Sequence, residues 1–303
     1  MATVTRQAPR PIRPANKPQP ARPVATSPRK PAGAAAKKPA SDPGDSGLFG
    51  TPPFTLIHYS PPGAGKTSMW AHMPNVGFIH DSKERGIIFL AKAKQCPAPS
   101  WREEVSSFDE LMLTLSRIAN KEVDIENLVI DSVTGMELLC FHYHCATYFE
   151  NDWSKEGFYA YQQGPKNAAK TDWPRLLDAL DAVTGAGINV VVLGHSQVKQ
   201  TNNPEGADYD TYMPYLDKET WAQTHKWAKA VLFSNFDVTL QLKSKGSKKT
   251  IGTGGEGRIM YTQNNAAYIA KNLWGLEPVI DLGTTPRDSY NAFCAAYKKA
   301  WGI

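Results

Sequence analysis

Cysteine is scarce, four in 303 residues, too few for the disulfide framework of a small secreted domain. Long apolar runs are missing as well. None approaches the ~18 residues that a membrane span needs, so no membrane partner is expected. No Ser/His/Asp or Cys/His nucleophile pattern stands out. Aromatics are absent before Phe49, and residues 1–47 hold ten of the 23 prolines, ten alanines and nine Lys/Arg against two acids. Such a stretch buries too little apolar surface to offset its ordering entropy. It reads as a disordered, basic Pro/Ala/Lys arm, without the apolar core of a secretory signal. The net charge of +5 is a property of this arm, because the rest of the chain is near −2. The expectation is a soluble, cytoplasmic protein.

From Phe54 onward, short apolar runs alternate with helical periodicity, the pattern of a parallel α/β sheet. Phe54–Tyr59 reads as a buried strand, followed by a turn and a helix from Lys66 to about Pro74. Val76–His80 is a second strand, which Gly86–Leu90 extends or follows. Ser107-Phe-Asp-Glu110 is a capping box opening a helix with Leu111, Leu115 and Ile118 on one face. Leu128–Asp131 reads as a central strand, with a helix from Gly135 to Phe149. Residues 151–171 look like a polar, aromatic-rich loop, Trp173–Val183 a helix and Ile188–Leu193 a strand. A second loop is expected over 196–217 and a helix over 219–231. Phe236–Leu242, Arg258–Thr262 and Ala267–Ala270 alternate like antiparallel strands, the first two flanking a basic turn, Lys243–Lys249. Tyr290, Phe293, Tyr297 and Trp301 line one face of a last helix.

The strongest signal is Ser60-Pro61-Pro62-Gly63-Ala64-Gly65-Lys66-Thr67, continuing into Ser68, at a strand-to-helix junction. Successive N–H groups of such a loop face phosphate oxygens, and glycines let the backbone approach closely. Lys66 would reach the β/γ-phosphates and the Thr67 hydroxyl would bind Mg²⁺. The usual first glycine is Ser60 here. Asp131, at the carboxyl end of a parallel strand beside the phosphate strand, would hold Mg²⁺ with Thr67. An acid after the second strand would orient the attacking water: Glu84 first, Asp81 second. His195, just beyond Leu193, would lie at the same edge and sense the nucleotide.

The phosphate loop, Glu84-x-Gly86, Ile130-Asp-Ser132, the Val-Leu-Gly-His195 strand end and Ala270-Lys-Asn272 occur in this order in RecA-like phage ATPases. The chain resembles that short-core AAA/RecA-type family, which includes single-strand annealing and recombination proteins, over about 50–283. The resemblance implies a RecA-like P-loop NTPase fold: a mostly parallel central sheet flanked by helices, with antiparallel strands toward the C-terminus. The expected layout is the arm at 1–47, the core at 48–284 and a docking helix at 285–303. It also implies MgATP hydrolysis and self-association with nucleotide at the subunit interface. Single-stranded DNA and a single-strand DNA-binding protein are the implied partners, and the host cytoplasm is the location for a phage-encoded chain. His195 matches the polar residue that begins the second DNA-facing loop. Lys271 matches the lysine of a Lys-Asn-Arg motif that contacts a neighbour's γ-phosphate. Here that motif reads Lys271-Asn-Leu-Trp-Gly275, so Lys271 would carry the contact alone.

In that arrangement the two loops would offer Trp153, Phe158, Tyr159, Tyr161, Lys166 and Lys170, and Lys199, Tyr209, Tyr212 and Tyr215. Aromatics among cations suit stacked bases and phosphates. About half of them are expected to pack on the body instead, and Glu205, Asp208 and Asp210 weaken the second loop's case. A nucleotide-dependent scaffold or motor without DNA contact, and a small-molecule phosphotransferase, remain open. Cys140-Phe-His-Tyr-His-Cys145 is not read as a zinc site, because helical spacing spreads those four side chains around the axis. Gly252–Gly257 reads as a loose hairpin connection.

Overall fold

A computed structural model describes residues 47–242 and 250–303. The Lys243–Lys249 turn and, except for Gly47, the arm fall outside the described residues. The elements run β1 (Thr55–Ser60), α1 (Lys66–Trp70), β2 (Val76–Asp81), α2 (Gly86–Lys92), β3 (Trp101–Val105), α3 (Phe108–Ala119), β4 (Asn127–Asp131) and α4 (Val133–Tyr148). They continue with α5 (Gln163–Gly185), β5 (Asn189–Thr201), β6 (Tyr209–Pro214), α6 (Lys218–Trp227), β7 (Ala230–Leu242), β8 (Thr250–Tyr261), β9 (Lys271–Asn272), β10 (Val279–Gly283) and α7 (Pro286–Trp301). No helix among the described residues is long and apolar enough to cross a membrane.

The sheet order is β10-β8-β7-β1-β5-β4-β2-β3, parallel from β7 to β3 and antiparallel among β7, β8 and β10. This is the expected mostly parallel α/β sheet with antiparallel C-terminal strands. Strand side chains alternate between its two faces. Ile57, Tyr59, Leu128, Ile130, Val190 and Val192 pack against α3, α4, α5 and α6. Leu56, Val129, Val191 and Leu193 pack against α1, α2 and α7. Both faces are therefore covered, which is why the parallel strands read as continuous apolar runs. Phe293 and Tyr297 of α7 are fully buried against Trp70 and Phe54.

Ser107 caps α3 by accepting from Glu110 N–H at 3.1 Å, and Glu110 returns a bond to the Ser106 N–H. Several expectations need correction. Gly86–Leu90 is helix, because Ile87 alone of that run is fully buried, against the sheet. Strands β3 and β10 were not foreseen; β3 lies at the sheet edge with alternate residues partly exposed, so it lacks an apolar run. The 151–171 segment is loop only to Ala160–Gln162, after which α5 runs unbroken through Pro174. The 196–217 loop is largely a β-ribbon, in which β5 continues past the sheet and pairs with β6 from Ser196↔Pro214 to Thr201↔Tyr209. Residues 230–231 belong to β7 rather than to the preceding helix, and Gly252–Gly257 lies within β8. Ala267–Ala270 forms only isolated bridges, the strand there being Lys271–Asn272.

Buried polar groups tie the layers together. Trp70 Nε1 donates to His58 Nδ1 at 2.8 Å, leaving Nε2–H to donate to Ser234 Oγ at 2.7 Å. Burial pushes this imidazole down to about 3, so it stays neutral under the phosphate loop. His144 of α4 pairs with Asp172 of α5 at 2.6 Å. Glu137 of α4 accepts from the Asp217 N–H at 2.9 Å and from the Thr220 hydroxyl at the start of α6.

Burial, first of all, pushes the Glu137 carboxyl up to about 7. The folded chain then holds a proton that the unfolded chain has released between about pH 4.5 and pH 7. The associated stability is present below that window and lost as pH rises through it, on the order of 3 kcal/mol. Glu137→Gln keeps an acceptor oxygen and removes the titration. Its melting temperature relative to the parent should be nearly unchanged at pH 5 and higher by several degrees at pH 8; equal differences at both pH values would refute the assignment.

Candidate functional site

The carboxyl ends of four parallel strands meet at one edge of the sheet. Ser60 ends β1 and sits opposite His195 of β5, Leu193 sits opposite Asp131 of β4, and Asp131 sits opposite His80 of β2. Open parallel sheets bind ligands in the crevice outside such ends. Asp131 does not lie beside the phosphate strand as expected, because β5 is inserted between β1 and β4. That insertion is what brings His195 next to the loop.

The loop itself turns through Gly63 (φ +78) and Gly65 (φ +85), conformations that side chains disfavour. A Cβ at Gly63 would meet no atom within 4 Å, so the concave face is open. Ser60 and Ala64 are buried behind the loop, Pro61 is half-buried, and Pro62, Gly63, Gly65, Lys66, Thr67 and Ser68 line a cavity of about 550 Å³. The Ser60 hydroxyl does what a glycine could not. It accepts from Lys66 Nζ at 2.9 Å and donates to Pro61 O, fixing the ammonium at the base of the loop.

Thr67 Oγ1 donates to Asp131 Oδ2 at 2.7 Å. Asp131 is buried, and its carboxyl is pushed up to about 6, chiefly by desolvation, which the Thr67 bond opposes. Lys66 is likewise brought down to about 8 by burial, with Asp131 and Glu84 acting against the shift. A buried carboxylate sharing one hydroxyl suits a divalent cation, and a desolvated ammonium at a glycine-lined cradle suits phosphate oxygens. The residues present fit a metal–nucleotide complex, with Thr67 and Asp131 at the metal.

Glu84 follows β2 and faces the same cavity. His195 Nε2 donates to its Oε1 at 2.7 Å, and Ser132 Oγ lies at 3.4 Å. The His195 bond, above all, holds the Glu84 carboxyl below the usual range despite partial burial. Asp81 has a different task. Its Oδ1 accepts from the N–H groups of Lys83 at 2.6 Å and Glu84 at 2.9 Å, so it shapes the turn that presents Glu84. Lys271 is not brought to the cavity: its Nζ donates to His225, Lys226 and Ala228 carbonyls at the C-terminal end of α6. The cavity also holds a cation outside every motif. Arg258 of β8 stands over Gly65, and no motif marks it, because its position depends on strand order.

A family model described as an AAA domain matches residues 53–274, from just before β1 to just beyond β9. The chain belongs to the AAA domain family. A search of curated proteins finds no match. As an AAA-type P-loop domain the chain is a nucleotide-binding protein, and the matched span contains the loop, Glu84, Asp131, His195, Arg258 and Lys271, while α7 lies beyond it.

Helix α4 reaches this AAA site through Gly135. A Cβ there would fall 2.0 Å from Asp81 Oδ2, so Gly135→Ala must displace the carboxylate that shapes the Glu84 turn. Overpacking of this kind costs about 1–3 kcal/mol. Asp81→Ala removes the obstacle, and the double variant should lose less stability than the two single variants together. Additive losses in a denaturation cycle would show that the two groups do not touch.

Proposed function

We propose that this chain hydrolyses a nucleoside triphosphate with Mg²⁺, ATP being the expected nucleotide. We also propose that the cycle serves single-stranded DNA recombination, repair or annealing of the phage type. The observation that carries the hydrolytic reading is the Glu84–His195 pair beside Lys66 and the Thr67–Asp131 couple, in one cavity. Lys66 would meet the β/γ oxygens. Glu84, kept ionised by His195, would accept a hydrogen bond from the attacking water through its second oxygen; a carboxylate of lowered pKa orients water better than it removes protons. Mg²⁺, when bound, would offset charge on the phosphate oxygens. His195 would hold Glu84 in place and report on its position.

The DNA reading is supported by the ribbon that begins one residue after His195. Tyr209 and Tyr215 are exposed there, as are Tyr159 and Tyr161, the last at 90% exposure with a positive φ. Trp153, Phe158 and Tyr212 pack against the body, so four aromatics remain for base stacking. Movement of Glu84 toward water would free His195 and alter the start of the ribbon. Subunit self-association with nucleotide at the interface, and a single-strand DNA-binding protein as a further partner, belong to the same proposal. A second reading, a nucleotide-dependent scaffold with slow turnover, is favoured by the three carbonyls that occupy Lys271.

Phosphate release measured with and without single-stranded DNA separates these readings. Lys66→Ala should abolish Mg²⁺-dependent nucleotide binding, and Glu84→Gln should retain binding while lowering turnover at least a hundredfold. DNA-stimulated release supports the recombination reading. Binding with little release, unaffected by DNA, supports the scaffold. Turnover that needs a small acceptor would replace both with a phosphotransferase.

A further inference from the structure

Arg258 sits where the sheet breaks register on both sides. Between β7 and β8 the pairing shifts after Phe236↔Arg258, with Gly255 at φ +104 in the irregular stretch. Between β8 and β10 it shifts between Asp281 and Gly283, the latter paired with Arg258 and at φ +65. Bulges commonly re-aim a side chain near a functional site, and here a bulge flanks Arg258 on each side. Among the described residues the guanidinium is held by Nη1 donating to Thr284 O. Its Nε is buried without a partner among the described residues and lies 3.4 Å from where a Gly65 Cβ would be. A buried, unpaired charged donor is costly unless something accepts from it.

The sheet order says which part of a nucleotide that acceptor is. Asp131, Glu84 and His195 come from β4, the turn after β2, and β5, all on one flank of β1. Arg258 comes from β8, on the other flank, and lines the same cavity next to Gly65 and Pro286. The metal and water-orienting groups mark the γ-phosphate end. The opposite flank therefore faces the part of the nucleotide that stays behind after hydrolysis. We propose that Arg258 is a specificity-determining cation that binds the diphosphate of the nucleotide held by its own subunit, ATP and ADP alike. A planar guanidinium suits this because it can bond two phosphate oxygens at once. The proposal rests on the nucleotide-binding reading of the loop.

The test measures affinities of ATP, ADP and AMP by calorimetry in the full-length chain with Mg²⁺, for the parent, Lys66→Ala, Arg258→Ala and Arg258→Lys. Arg258→Ala should weaken ATP and ADP by a similar factor, about tenfold to a hundredfold, and AMP much less. Arg258→Lys should fall between, since an ammonium keeps the charge and loses the fork. Where Arg258→Ala lowers the melting temperature of the nucleotide-free chain, Arg258→Gln makes the same comparison while keeping a donor for Thr284 O. Unchanged ADP affinity in a folded variant overturns the proposal. So does a loss confined to ATP, which would move Arg258 to the γ-phosphate, or a loss as large for AMP, which would move it to the nucleoside. Failure of the parent to bind any nucleotide would instead sink the reading of the loop itself.

Discussion

A carboxylate buried at the carboxyl edge of the sheet, Asp131, has one neutral hydroxyl as its direct side-chain partner. That imbalance governs the rest of the site. In a low-dielectric setting a hydroxyl donor compensates only part of the charge, and burial raises the carboxyl toward neutrality. The nearest cation, Lys66, is itself desolvated and is drawn to Ser60. Each group is ionised near pH 7 only against a desolvation cost. A divalent cation beside Asp131 and phosphate oxygens beside Lys66 would satisfy both, so the ligand completes an electrostatic arrangement that the fold leaves partial. The fold maintains this because Thr67 is fixed at the start of α1, Trp70 anchors that helix to His58, and β4 is locked between β5 and β2.

Glu84 is wired differently, through contacts that extend away from the phosphate. Its turn is shaped by Asp81, Asp81 abuts Gly135 of α4, and its carboxylate is held by His195. Helix α4 is pinned to α6 through Glu137, and His195 leads straight into the β5–β6 ribbon, whose base is tied to Tyr59 of β1 through the Tyr212 carbonyl. A displacement of Glu84 by about the length of a hydrogen bond would therefore be felt at the ribbon and at α4, because packed interiors transmit strain rather than absorb it. This network joins the position of Glu84 to the ribbon and to α4 through direct contacts.

Much of this was legible from residue order. A glycine-bearing loop between an apolar run and a helix, an acid closing a second apolar run, and a histidine closing a third are local patterns, and each lands at the shared edge. The misreadings have physical causes. The ribbon of β5 and β6 mixes polar with apolar and aromatic residues on both faces where it leaves the sheet, so it resembles a loop. The start of α5 buries Pro165, Ala168 and Ala169 among polar residues, and small apolar residues give little periodic signal. Edge strand β3 alternates exposed Arg102 and Glu104 with half-buried Trp101 and Glu103. The placement of β5 between β1 and β4 is a fact of topology, and spacing along the chain does not encode it.

The same limit explains the two basic residues near the C-terminus. Lys271 carries a motif, and within its own chain it meets three carbonyls at the C-terminal end of α6, which attract an ammonium through the helix dipole as well as by hydrogen bonding. Arg258 carried none and reached the cavity. It does so because the antiparallel strands β7, β8 and β10 fold back alongside β1, on the flank that the motif-bearing strands leave open, and because paired bulges turn its side chain toward the loop. An antiparallel extension of a parallel sheet is thus more than an edge cover. It brings to the phosphate loop a second cation besides Lys66, from the flank opposite the one on which Glu84, Asp131 and His195 converge.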